Sequence, residues 1–224
     1  MSVHLQREIG NIKKSILSLG ALVEERVWKA VKAVTERDFE LARKIVEADY
    51  EIDEFEVQIE EECLKALALH QPVAIDLRFI VAILKINNDL ERIGDLAANI
   101  AKRAYHMCNL DRIELPPEFS LLAEKAQNML KKSLDALVNL DPVQAQAVRN
   151  DDDDVDILNR KMYEQVTENI KKDVNALECN IYLRSVSKNL ERIADLATNI
   201  AEDVIYTCKG EIVRHKHSFD AETP

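Results

Sequence analysis

The 224-residue chain is poor in the residues that interrupt helices or build sheets: it has four glycines, five prolines and only 5% aromatic side chains. No Asn-Gly or Asp-Gly pair marks a β-hairpin. Ala, Leu, Ile, Val, Glu and Lys dominate instead, as they do in helical bundles. These scarcities exclude a sheet-based fold, and we predict an all-α protein.

The chain also lacks the features of nucleic-acid and membrane proteins. Its formal net charge of −11 disfavours nucleic acid and anionic lipid as partners, because both require a basic surface. No window approaches eighteen consecutive apolar residues, and the N-terminus has no apolar stretch of the signal-peptide kind. We therefore expect a cytoplasmic protein that does not insert into membranes.

Cysteine is scarce as well, with four residues and no Cys-x-x-Cys pair. Such thiols are more typical of small buried hydrophobes in a reducing compartment than of disulfides or zinc ligands. No Glu-x-x-His motif occurs, which disfavours a ferritin-like di-iron site. Gly-rich phosphate loops and nucleophile motifs are absent too, and the sequence indicates no catalytic site.

Apolar periodicity, interrupted by proline and aspartate, predicts six helices in two groups of three. They cover about residues 4–35, 38–70, 73–108, 118–139, 141–173 and 176–209. Three long helices joined by short turns pack as an antiparallel bundle. We predict two tandem, pseudo-symmetric three-helix bundles at 1–110 and 118–210, a proline linker at 111–117 and a flexible tail at 211–224.

An internal repeat supports this duplication. LERIGDLAANI, residues 90–100, returns as LERIADLATNI at residues 190–200, and the alignment of 87–102 with 187–202 contains ten identities in sixteen positions. Each copy carries a Glu and an Asp at positions i and i+4, which stack on one helix face beside the apolar stripe. Two such acids repel each other by a few tenths of a kcal/mol, so their repetition calls for a compensating charge.

The preceding helix of each half carries a second acidic i, i+4 pair, so facing helices would bring four carboxylates together. Oxygen-preferring cations such as Fe, Mn, Mg or Ca suit these ligands, with Zn as an alternative, and the number of acids allows more than one ion per half. The candidate metal ligands are Asp49, Asp53, Glu91, Asp95, Asp152, Asp156, Glu191 and Asp195, followed less strongly by Asn99, Asn199 and Glu202.

The run NDDDDVD, residues 150–156, contains one of these pairs. It is not an EF-hand loop, because Asp156 stands where that loop needs glycine. Four consecutive aspartates are costly inside a helix, so the run indicates either a ligand-bearing segment or a break in the helix. The sequence does not settle which of its aspartates would bind metal.

Three segments resemble the PhoU family of phosphate-signalling regulators: QPVAIDLR at 71–78, NNDLERIGDLAANIA at 87–101 and NLERIADLATNIAEDVIY at 189–206. The resemblance covers nearly the whole chain; one departure is Gly94, which is Ala194 in the second copy. It implies two tandem three-helix bundles with multinuclear metal clusters at the eight carboxylates. We expect iron, with Zn, Mn or Mg as alternatives.

The resemblance further implies a function by contact. Members are expected to act as negative regulators of phosphate uptake and of the phosphate-starvation response, which makes their effect on transcription indirect. The implied partners are the ATPase subunit of a phosphate ABC transporter and a sensor histidine kinase. Two alternatives stay open, a metal-dependent phosphoester hydrolase and a metal-free helical scaffold, and the sequence does not decide whether the chain forms a homodimer.

Overall fold

The structure is a computed structural model that describes residues 3–213, and these residues form an all-α protein without strands. The helices are α1 Val3–Glu36, α2 Phe39–Glu47, α3 Tyr50–His70, α4 Ala74–Met107, α5 Pro117–Asn139, α6 Pro142–Lys172 and α7 Leu177–Lys209, with a 3-10 turn at Val174–Ala176. The predicted fold class is confirmed. Of the predicted tail, residues 214–224 lie outside the described residues.

Helix ends follow the local signals in the sequence. Asp38 caps α2 by accepting a hydrogen bond from the Leu41 N–H at 2.9 Å. Asp141 caps α6, which begins with Pro142. Gly210, with φ of +72°, ends α7 in the left-handed conformation that glycine adopts at little cost. These ends are fixed by short-range chemistry, which explains why the sequence predicted them to within a few residues.

The second predicted helix, 38–70, is interrupted, and here the prediction of one continuous helix was wrong. Ala48 leaves the helical conformation with φ −97° and ψ 12°. Arg26 of α1, only 5% exposed, donates from Nη1 to the carbonyls of Ile45 at 3.3 Å and Ala48 at 2.9 Å, and from Nη2 to Glu51 at 2.9 Å. Because the last carbonyls of a helix lack intrahelical partners, this guanidinium stabilises the break.

Two bundles share one core. Helices α1 to α4 pack together, as do α5 to α7, and the two groups meet where α4 lies along α7 and α1 contacts α5. The buried apolar side chains of all seven helices form one continuous cluster. The repeated segments, which belong to α4 and α7, therefore lie side by side at the centre of the molecule.

Two further expectations concern cysteines and membranes. All four cysteines are free: Cys63 and Cys179 are buried as expected, whereas Cys208 is exposed, contrary to expectation. Burial raises the pKa of the Cys63 thiol to about 12. Within residues 3–213, no helix combines the length and apolarity needed to cross a membrane.

Candidate metal centres

Gly94 sets the distance between α3 and α4 at the first group of predicted ligands. A Cβ atom at Gly94 would lie 2.7 Å from Ile52 Cδ1 and 3.1 Å from Ile52 Cγ2, which is closer than packed carbon atoms approach. In the sequence, Ile52 precedes Asp53, and Gly94 precedes Asp95. The helices therefore touch at the level of the acids.

The second copy carries a different pair of residues at the equivalent positions. Ala194 corresponds to Gly94, and Val155 corresponds to Ile52. One side chain gains a methyl group and the other loses one carbon, so the combined volume is nearly conserved. Both Ala194 and Val155 are buried.

The first carboxylate cluster consists of Asp49, Asp53, Glu91 and Asp95, and the structure brings these four side chains within electrostatic reach of one another. Burial, then the negative charge of Asp95, raises the pKa of Asp49. Burial, then Asp95 and Asp53, raises the pKa of Glu91. Two pairs on two helices thus face the same region, as the sequence predicted. Asp49 lies at the break before α3 rather than inside a continuous helix, but its own helical angles, φ −60° and ψ −40°, keep it one turn from Asp53.

Glu56 is a neighbour of this cluster that sequence reasoning missed. Burial, then the charges of Glu60 and Asp53, raises its pKa. Its side chain accepts a hydrogen bond from Asn87 Nδ2 at 3.2 Å, and its backbone carbonyl accepts one from the same nitrogen at 2.8 Å. The signal was available, since Glu56 continues the series from Asp49 at i+7 and so lies on the same helix face.

The second carboxylate cluster consists of Asp152, Asp156, Glu191 and Asp195, and these four side chains also lie within electrostatic reach of one another. Burial, then the charges of Asp152, Glu191 and Asp156, raises the pKa of Asp195 to about 6. Burial is also the main cause of the raised pKa of Asp152 and of Asp156. The negative charge of Glu191 is the second cause of the raised pKa of Asp156.

Few charges of opposite sign offset this second cluster. Lys188 forms an ion pair with Glu191, and its charge lowers the pKa of Asp156 and Asp195, although less than burial raises both. One lysine therefore faces four carboxyl groups.

The aspartate run is continuous helix within α6, so it neither breaks nor bulges. Asp151 pairs with Lys132 of α5 at 2.8 Å, and Asp154 pairs with Lys125 of the same helix. Asp152 turns the other way and accepts a hydrogen bond from Thr198 Oγ1 of α7 at 3.2 Å. The structure thus separates the aspartates that face α5 from Asp152 and Asp156, which face the acids of α7.

Two of the three weaker candidates share a cleft with Asp95 and Asp195. Asn99 and Asn199 line a cleft between α4 and α7. The Glu202 carboxylate pairs with Arg149 Nε at 3.2 Å. A role of Asn99, Asn199 and Glu202 as metal ligands stays a prediction.

The donor chemistry of both clusters suits a hard cation, because all donors are oxygens and their repulsion would be relieved by positive charge. Within residues 3–213, however, no group of three or more His, Cys, Asp or Glu side chains stands in an arrangement that could hold a metal ion. Binding would therefore require the carboxylate side chains to rotate towards a shared ion. The assignment of the eight carboxylates as ligands stays a prediction.

Fold and site together define a class: all-α proteins of two pseudo-symmetric bundles, each with an acidic cluster between two facing helices, α3 and α4 in the first bundle and α6 and α7 in the second. The PhoU domain model matches residues 16–104 and 119–204, one match in each bundle. The chain belongs to the PhoU family, and the resemblance found in the sequence is confirmed.

The similarity of this chain to its relatives and to solved structures extends along almost its entire length. The "Phosphate-specific transport system accessory protein PhoU homolog" of Pseudomonas aeruginosa is 36% identical, covering 96% of this chain and 89% of the relative. The homologue of Aquifex aeolicus is 35% identical, over 95% of this chain and 96% of the relative. The crystal structure of PhoU from Pseudomonas aeruginosa superposes with a TM-score of 0.87 at 35% identity, over 92% of this chain and 99% of that one. The crystal structure of the phosphate transport system regulatory protein PhoU from Streptococcus pneumoniae superposes with a TM-score of 0.85 at 30% identity, over 93% of this chain and 99% of that one.

Proposed function

We propose that this chain regulates phosphate uptake and the phosphate-starvation response by contact rather than by catalysis. The observation that carries the proposal is full-length similarity, across both repeats, to proteins named as accessory or regulatory components of phosphate transport. The proposed partners are the ATPase subunit of a phosphate ABC transporter and a sensor histidine kinase, both reached on the cytoplasmic side. Docking would shift each partner between its active and inactive states. This shift requires that the chain bind one of the two states more tightly than the other.

We further propose that the two carboxylate clusters bind metal, most simply multinuclear iron, with Zn, Mn or Mg as alternatives. Support comes from the raised pKa of Asp195, Asp152 and Asp156 in one half and of Asp49 and Glu91 in the other. A bound cation would fix α3 against α4, and α6 against α7, and would remove part of the negative charge from the surface. Its role would be structural and electrostatic.

The direct test measures binding of the purified chain to the immobilised ATPase subunit, and separately to the kinase's cytoplasmic portion, by biolayer interferometry. Binding to either partner that slows ATP hydrolysis or kinase autophosphorylation is expected. No binding to either, in metal-loaded and in chelated protein, would overturn the proposal.

A parallel assay addresses the enzymatic alternative. Phosphoester hydrolysis is measured with added Fe, Mn or Mg, comparing the natural chain with Asp156→Asn. We expect no turnover above background. Turnover that disappears in Asp156→Asn but persists in Asp154→Asn, a change in the same run outside the cluster, would make the protein a hydrolase instead.

A further inference from the structure

Three hollows follow one another along the junction of α4 and α7. The axial cleft is lined by matching residues of both repeats, Arg92 with Arg192, Asp95 with Asp195 and Asn99 with Asn199. A hollow lies on each side of it, one sharing Arg92 and Asn199 with the cleft, the other sharing Asn99 and Arg192. The two outer hollows are related by the internal repeat, which shifts residue numbers by one hundred.

The first outer hollow, here called the mixed groove, is electrically balanced. Its charged lining residues are Lys85, Asp89, Arg92 and Glu202. Lys85 Nζ lies 3.3 Å from Asp203 Oδ1, and Arg92 Nη1 lies 3.5 Å from Asp89 Oδ1. Both cations of the mixed groove thus have a carboxylate partner.

The second outer hollow, the basic groove, has about 660 Å³ of space, and none of the described residues that line it is acidic. Its charged lining residues are Arg103, Arg184, Lys188 and Arg192. Four cations in one hollow stand out in a chain whose formal net charge is −11.

The repeat shows how the two grooves came to differ. Asn189 stands where the first copy has Asp89, and Arg103 stands where the second copy has Asp203. The contact corresponding to the Lys85–Asp203 ion pair is a hydrogen bond from Arg103 Nε to Ser185 Oγ at 3.2 Å. Each carboxylate that neutralises the mixed groove is therefore replaced, in the basic groove, by a neutral or basic side chain.

Neutral groups hold Arg184 and Arg103 of the basic groove in position. Arg184 Nη1 donates to Asn159 Oδ1 at 2.9 Å, and its guanidinium lies 5.4 Å from the ring centre of Tyr163. The Arg103 guanidinium lies 5.8 Å from the ring centre of Tyr182. Hydrogen bonds to neutral oxygens and contacts with aromatic rings orient a guanidinium without cancelling its charge.

Among the described residues, one of the four cations is engaged by an acid. Lys188 pairs with Glu191, whereas no ion pair joins Arg103, Arg184 or Arg192 to a carboxylate within residues 3–213. Planar guanidinium groups bind phosphate oxygens through paired hydrogen bonds. A space of this size accommodates more than one such oxyanion group.

We propose that the basic groove binds a phosphate-bearing anion, either a free inorganic phosphate or pyrophosphate or the phosphate of a small ester. Arg184 and Arg192 are the principal donors, and Arg103 supports the opposite wall. The site uses none of the eight cluster carboxylates as a ligand, although Lys188 of its lining pairs with Glu191, and it does not depend on the function proposed above.

The test is isothermal titration of the full chain with inorganic phosphate, pyrophosphate and glycerol phosphate, in low salt and after chelation of metals. Binding of at least one anion is expected, and comparison among the three assigns the source of the phosphate group. Arg192→Gln should weaken binding by about tenfold or more, the loss expected for one charge-assisted hydrogen bond. Arg92→Gln is the matched control, because it makes the same change at the repeat-related position in the mixed groove and should leave affinity unchanged.

A second variant keeps the result interpretable. Asn189→Asp restores the acid that the first copy carries, and it should also weaken binding while circular dichroism shows an unchanged helical fold. The proposal is overturned if none of the three anions binds, or if Arg92→Gln and Arg192→Gln reduce affinity equally.

Discussion

Replacing Asp195 with asparagine should stabilise the metal-free protein at neutral pH. The substitution keeps the shape of the side chain and removes a charge that three other carboxyl groups repel. Burial and the charges of Asp152, Glu191 and Asp156 raise the pKa of Asp195 from 3.8 to about 6. Between these two values the folded protein binds more protons than the unfolded chain, so the stability contributed by Asp195 is lost as pH rises through about 6.

The magnitude follows from the same displacement of the pKa. Moving the pKa from 3.8 to about 6 corresponds to about 3 kcal/mol at pH 7. Asp195 keeps an exposed surface, and solvent screening reduces the expected gain to about 1 to 1.5 kcal/mol. Near pH 4, where aspartate is largely protonated in the folded state, the gain should vanish.

Urea denaturation in the presence of a chelator, at pH 4 and pH 7, measures both values. Asp154→Asn serves as the control, because it neutralises an aspartate of the adjacent helix α6 that pairs with Lys125 outside the cluster. It should be neutral or slightly destabilising at pH 7, as exposed ion pairs contribute about 0 to 1 kcal/mol. If Asp195→Asn destabilises the metal-free protein at pH 7, the reasoning about repulsion in the second carboxylate cluster is wrong.

Other predictions concern packing, the helix break and metal. Gly94→Ala should lower the free energy of unfolding by about 1 to 3 kcal/mol, because the added methyl group overpacks against Ile52. In a double-mutant cycle, adding Ile52→Val should recover part of this loss. Additive effects of the two substitutions would refute the contact. Arg26→Met should lower the free energy of unfolding by about 2 to 3 kcal/mol, because it leaves the carbonyl groups at the helix break without a hydrogen-bond donor. It should also accelerate hydrogen exchange at residues 45–51 more than elsewhere. Uniform acceleration along the chain would contradict this prediction. With saturating divalent metal, Asp195→Asn should melt at a lower temperature than the natural chain, since it loses a ligand; a higher melting temperature would argue against ligation.

Where the fold depends on local chemistry, the sequence was sufficient. The caps at Asp38 and Asp141 and the stop at Gly210 are readable from single residues, and the apolar stripe of each repeat predicts its buried face. The break after α2 was not readable, because it depends on Arg26 reaching across from another helix. Apolar periodicity continues on both sides of the break and conceals it.

The acidic pairs were predictable from their spacing in the sequence, but one neighbour of the first carboxylate cluster was missed. Acids at i and i+4 share a helix face wherever the helix lies, so the two pairs in each half were found from spacing alone. Glu56 was missed because only i, i+4 pairs were considered, although it lies at i+7 from Asp49 and so on the same helix face; its contact with Asn87 of α4 is visible only in the structure. The basic groove could not be recognised from the sequence either. Asn189 and Arg103 are far apart in the sequence, and they line one groove only because α4 packs against α7.

The most direct test of the account is native mass spectrometry with elemental analysis of the purified chain, alongside Asp53→Asn with Asp156→Asn and the Asp154→Asn control. Metal should accompany the natural chain and the control, and the paired variant should have lost it. Equal metal content in all three proteins, or none in any of them even after reconstitution with iron, zinc, manganese or magnesium, would contradict the claim that facing carboxylates form metal centres.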